Sequence, residues 1–165
     1  MKIIGLLLIF LSSVGLGFSK AEEYRGKDRQ INAFIELLYF IRHEIFVYQT
    51  PQCKIYEKFQ NKYLYEIGFL DNLRRKAHDG VGTPLFYSIK ELDRMRIDPE
   101  IEEILLDFAL GLGTLSVGEE CERCDRAVGK LEEIYRKQKD ETKEKTRLCR
   151  SVGGIVGAGL VLLLW

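Results

Sequence analysis

The sequence predicts an all-α protein: a soluble six-helix bundle flanked by N- and C-terminal transmembrane helices. Three observations predict it. Charge is absent from Ile3 to Phe18 and from Ser151 to Trp165, while the middle carries nearly all of it. Apolar residues in the middle recur at spacings of three and four, the helical period. All 3 prolines follow a residue able to cap a helix: Thr50-Pro51, Thr83-Pro84 and Asp98-Pro99. A cap followed by proline at the first helical position is a helix start signal. The implied division is 1–20 for a first membrane helix, 21–147 for a cytosolic bundle with a charged stalk helix, and 148–165 for a second membrane helix.

The chain has 165 residues, enough for one domain with a real core. Lys plus Arg and Asp plus Glu balance at 25 each, so no net field favours nucleic acid. As helix, each apolar run reaches roughly 22–24 Å, against about 30 Å of hydrocarbon. Such a mismatch costs fractions of a kcal/mol per Å, and long basic side chains at the flanks cover part of it. Lys20 on one side, with Arg147 and Arg150 on the other, are the membrane flanks, and Trp165 suits the far interface. The excess of Lys and Arg on the inner side of both runs (Arg25, Lys27, Arg29; Lys143, Lys145) places the middle in the cytosol. The competing reading of the start is a secretory signal, since Ser19-Lys20-Ala21 is close to a small-x-small cleavage site. That reading makes the protein an exported, tail-anchored binding module. At the other end Gly153, Gly154, Gly157 and Gly159 make a poor soluble helix. Gly153 and Gly157, one turn apart, suit close packing between membrane helices.

The expected helices run over 28–48, 51–66, 69–78, 84–95, 99–112 and 116–150. The first carries Ile31, Phe34, Ile35, Leu38, Ile41, Ile45 and Tyr48 on one face, widened by Leu37, Phe40, Phe46 and Val47, and is expected to be central. Acids at Glu100, Glu102 and Glu103 favour the start after Asp98. In the last helix Val117, Cys121, Cys124, Val128, Leu131 and Tyr135 form a heptad seam. Its next positions are Gln138, Thr142 and Lys145, so the apolar seam is expected to end there. Beyond Arg136 the helix reads as polar all round, held by pairs such as Glu132/Arg136, Glu133/Lys137 and Glu141/Lys145. It is expected to act as a stalk of roughly 15–18 Å.

Cys121-Glu122-Arg123-Cys124 admits a metal or redox reading. Tetrahedral zinc needs about four ligands, and Cys53, Cys149, His43 and His78 are scattered singly. Both cysteines hold seam positions, where a free thiol packs as a small hydrophobe. No nucleophile elbow, phosphate loop or paired-histidine zinc motif is present. No catalytic residue, metal, cofactor or small-molecule substrate is therefore expected. The alternative is a membrane-tethered metal or redox protein using Cys121 and Cys124. The cluster Arg74, Arg75, Lys76 is a solvated face, or a weak contact for an acidic partner or lipid headgroups.

The order of features resembles the stage III sporulation protein AB family of spore-forming Firmicutes. The resemblance runs over the whole chain. A short apolar start leads into a wide apolar helix; then come Thr50-Pro51, Leu110-Gly111-Leu112-Gly113 and a long charged helix. The chain closes with Arg147-Leu148-Cys149-Arg150-Ser151-Val152-Gly153 running into the last apolar stretch. After the Leu-Gly pair the family tends to an Asp and Gln-rich sequence; here Ser116, Glu119 and Glu120 stand instead, so contacts of those family residues are not carried over. The resemblance implies a subunit of a secretion-like complex between mother cell and forespore. It implies similarity to the platform protein of type II secretion and type IV pilus machines, whose cytosolic parts are six-helix bundles. The partners it implies are the other subunits of the stage III complex, above all its cytosolic ATPase, the AA protein.

Overall fold

A computed structural model describes residues 2–91 and 97–164, and among these every regular element is helical. The elements are α1 (Lys2–His43), α2 (Gln52–Lys58), α3 (Lys62–Glu66), α4 (Phe69–His78), α5 (Pro84–Lys90), α6 (Pro99–Gly111) and α7 (Val117–Leu164). A π-helical turn, Glu44–Tyr48, closes α1. Residues 92–96, at the end of the helix expected over 84–95, lie outside the described residues, as does Trp165.

The chain forms two compact units, Met1–Asp28 with Arg136–Trp165, and Arg29–Tyr135. Among the described residues the buried apolar core cluster lies in the second. Phe34, Leu37, Leu38 and Ile41 of α1 are fully buried there, as the apolar face predicts, but Phe46, Val47 and Tyr48, expected on the same face, are exposed because the helix changes to the π turn at Glu44. Phe34 meets Phe69 of α4 edge to face at 5.4 Å between ring centroids, a preferred aromatic geometry. α4 packs against α2, α3 and α5, and α5 against α6. On α7 the predicted seam is buried at Cys121, Cys124, Val128 and Leu131, whereas Val117, its first position, is exposed.

The helix expected over 51–66 is broken in two. Phe59 adopts an extended backbone that ends α2 and turns its ring inward against Phe40, 5.3 Å away. Asn61, also extended, then starts α3 by accepting the Leu64 N–H at 3.0 Å. An Asn cap competes effectively with helix continuation. The three proline signals divide as well. Asp98 caps α6 through the Glu100 N–H at 3.1 Å, with Pro99 in the first turn. Thr83 precedes α5 with Pro84 in its first turn but makes no side-chain cap. Thr50 is not a cap: Pro51 itself occupies the cap position, and the Thr50 hydroxyl donates to Glu44 at 2.7 Å.

In the other unit the first part of α1 and the last part of α7 run antiparallel. Asp28 accepts a hydrogen bond from the Thr142 hydroxyl at 3.2 Å, and the Lys145 ammonium lies 5.7 Å from the Tyr24 ring centroid. Thr142 and Thr146 are buried. This corrects the expected stalk. The segment is polar in composition, as expected, but it is not a lone helix: Thr142 and Thr146 are buried where it runs beside α1. The expected pair Glu141/Lys145 forms, at 2.6 Å. Lys20, Arg150, Gly153 and Gly157 stand in the helical backbone of this unit, and Arg147 is exposed. Among the described residues no helix is long and apolar enough to cross a membrane.

Candidate interaction surface

Cys121 and Cys124 lie one turn apart near the start of α7 and face inward. Burial, reinforced by Cys121 and the carboxylates of Glu120 and Asp125, pushes the Cys124 thiol up to about 12. A thiol so placed is neutral at physiological pH and a poor nucleophile or metal ligand. Among the described residues no group of three or more His, Cys, Asp or Glu side chains is placed to hold a metal ion. Cys53 is exposed. His43 meets the Tyr48 ring edge to face at 5.7 Å, and His78 is exposed beside Asp79.

Sequence reading passed over two polar clusters. At the end of α1 the buried Glu44 carboxylate accepts from Thr50 and, at 2.8 Å, from the Lys58 ammonium. Lys58 and Thr50 hold the Glu44 carboxyl below its ordinary range. The second cluster gives the Leu110-Gly111-Leu112-Gly113 stretch its purpose. Glu120, buried in the first turn of α7, accepts the N–H groups of Gly113, Thr114 and Leu115 at 2.7, 3.1 and 3.2 Å. Ser116 and Glu119 make one half of a capping box: Glu119 accepts both the N–H and the hydroxyl of Ser116. Gly113 has φ +86, and the Gln52 amide occupies the space a Cβ would need. That amide donates to the Leu112 carbonyl at 2.9 Å. At Gly111 the space is taken by the Arg123 guanidinium, which donates to the Asp107 carbonyl. The capping box was legible as S-x-x-E; the Glu44 cluster, which joins residues fourteen apart through a turn, had no local signature.

The cluster Arg74, Arg75, Lys76 is largely engaged inside the fold. Arg74 donates to the carbonyls of Tyr56 and Phe59, at 3.1 and 2.7 Å, closing the open end of α2. Lys76 pairs with Glu91 at 2.7 Å and is mostly buried. Arg75 is the exposed member, bonded to Asn72.

One end of the core unit carries apolar side chains in the open. Phe46, Val47 and Tyr48 of the π turn are 63, 50 and 62% exposed, and Leu110, Leu115 and Val117 around the α6–α7 loop are also exposed. Gln52 on Leu112, and Arg42 paired with Asp125 at 2.6 Å, tie the two groups to the same end. Three successive large residues of the π turn thus face outward.

The fold and these contacts define an all-helical bundle protein whose buried polar groups secure turns and helix ends. The chain belongs to the family described as Stage III sporulation protein AB, which it matches over residues 2–165. That family carries a role in stage III of sporulation. No curated protein and no solved structure matches the chain.

Proposed function

We propose that this protein is a non-enzymatic membrane platform of the stage III sporulation complex, anchored by both apolar ends and docking the complex's cytosolic ATPase. The bounds are those of the sequence reading: 1–20 and 148–165 in the mother-cell membrane facing the forespore, 21–147 in the cytosol. The observation that carries this reading is the antiparallel pair of the first unit. Asp28 lies level with Thr142 and Tyr24 with Lys145. Continuing both helices residue for residue brings Phe18 level with Val152, so the two uncharged runs begin side by side. Two short runs in register satisfy one thin slab of hydrocarbon together, and both leave their basic flanks, Lys20 with Arg147 and Arg150, on the same side. Gly153 and Gly157 then stand where small residues let paired membrane helices approach.

For docking, the exposed apolar end of the core unit is the best-suited surface, because contiguous exposed apolar patches mark protein–protein contacts. Arg75 is a supplementary contact for an acidic partner. Reporter fusions after Arg25 and at the C-terminus, with alkaline carbonate extraction of membranes, test the anchoring. Cytosolic activity for the first fusion, none for the second and retention in the carbonate pellet are expected. Release of the intact chain by carbonate would end the platform reading.

A further inference from the structure

We propose that the paired helices of the first unit hold an anionic phosphate headgroup in a cleft between them. The cleft has a volume of about 460 Å³ and is lined by Arg25 and Asp28 of α1 and by Lys139, Thr142, Lys143, Thr146 and Arg147 of α7, with Ser151 at its edge. Four of these side chains are cations and one is an acid. Arg25 also lies 3.7 Å from Glu22, and Lys143 lies 3.3 Å from Asp140. Both are exposed pairs of little energetic weight, easily exchanged for an incoming anion.

An independent observation points to a ligand. Thr146 is 9% exposed, and its hydroxyl oxygen is buried without a hydrogen-bond partner. A buried hydroxyl left unbonded is costly. Its neighbour one turn earlier, Thr142, is satisfied by Asp28. A phosphate oxygen entering beside Arg147 and Lys143 would accept from the Thr146 hydroxyl. Several convergent N–H and O–H donors suit a phosphate, which offers several acceptor oxygens and at least one full charge.

The position favours a lipid as the source. Arg147 is four residues, or about 6 Å of helix, before Ser151, where the second uncharged run begins. Basic pockets between membrane helices at that level bind acidic headgroups. Assignment to a lipid rests on the proposed membrane anchoring; the anion site itself does not.

The test uses the full-length chain, in nanodiscs of phosphatidylglycerol diluted into phosphatidylcholine and in detergent micelles with inorganic phosphate, with bound anion counted by native mass spectrometry. Each basic residue near a headgroup contributes about a factor of five. Lys143→Gln with Arg147→Gln is therefore expected to weaken phosphatidylglycerol retention roughly 25-fold. Thr146→Val, which keeps shape and loses only the hydroxyl, should weaken it about threefold or more. Asp28→Asn removes a repulsive charge and should tighten binding about fivefold, a change of sign that general damage to the hairpin would not produce. Binding of inorganic phosphate with no preference for phosphatidylglycerol over phosphatidylcholine would keep the site and assign it a soluble anion. Equal retention of both probes by the wild type and the double variant would overturn the proposal. Flotation with neutral phosphatidylcholine vesicles reads membrane anchoring separately. A chain that fails to float ends the membrane reading, and the phosphate arm still decides the site.

Discussion

Cys124 and Glu44 show how differently two buried groups behave. Cys124 has no exposure, and its sulfur serves as core volume. Cys124→Ser should destabilise by about 1–3 kcal/mol, because a hydroxyl is buried in place of a thiol. Cys124→Ala should lose about 1–2 kcal/mol through the small cavity left behind. Urea unfolding measures both. Loss of sporulation in the alanine variant without loss of stability would instead favour redox or metal chemistry. Glu44 carries a different kind of term. Lys58, then Thr50, lower its proton affinity relative to an ordinary glutamate at 4.5. A group whose folded pKa is depressed adds stability that is complete above the unfolded pKa and is lost as pH falls through the folded one. Stability should therefore drop from pH 4.5 downward, and Glu44→Gln should make that drop shallower while lowering stability at neutral pH. Melting temperature measured from pH 7 to pH 3 checks the sign. The cysteines were readable from their seam positions. Glu44 was not, because its partners come from the turn and from α2, and helical spacing carries no information across a chain reversal.

At the scale of elements, α7 is the decisive helix. Its first turn is closed by Ser116 and Glu119, its first half is a buried seam, and its later half pairs with α1. Thr142→Pro removes a backbone hydrogen bond and crowds the preceding turn, at about 3 kcal/mol or more. It also removes the hydroxyl that satisfies Asp28, a carboxyl that burial already pushes up and that the Thr142 hydroxyl, Lys139 and Gln138 partly restore. The variant should remain in the membrane fraction and fail to support sporulation, as read by heat-resistant spore counts. Normal counts would argue that the paired helices transmit nothing. The polar composition after Arg136 suggested a lone stalk, since threonine gives no apolar signal. Small hydroxyl residues can still line a helix interface when a carboxylate on the opposite helix accepts from them.

For the whole molecule, every residue of the buried core cluster lies between Ile31 and Leu131, inside the unit Arg29–Tyr135. A fragment of those residues should fold alone, with cooperative thermal unfolding and helical circular dichroism. In a pull-down it should retain the cytosolic ATPase proposed above as its partner, and Val47→Ser with Leu115→Ser, two exposed side chains, should weaken that binding while moving stability by no more than about 0.5 kcal/mol. A fragment that melts without cooperativity would mean that the apolar ends are needed for the core.

The amino-acid order alone determined the helical class, the central first helix, the start of α6 at Asp98-Pro99 and the inward cysteines, because each arises from periodicity or from contacts a few residues apart. It also carried the family resemblance that the match over residues 2–165 confirms. Only the tertiary structure decided that Thr50 serves Glu44, that the 51–66 segment breaks at Phe59, and that Arg74 closes α2. It alone brought Thr142 to Asp28 across 114 positions. Local propensity is additive along a chain, whereas these contacts depend on which helices are folded together, and that choice is made by the burial of the core as a whole.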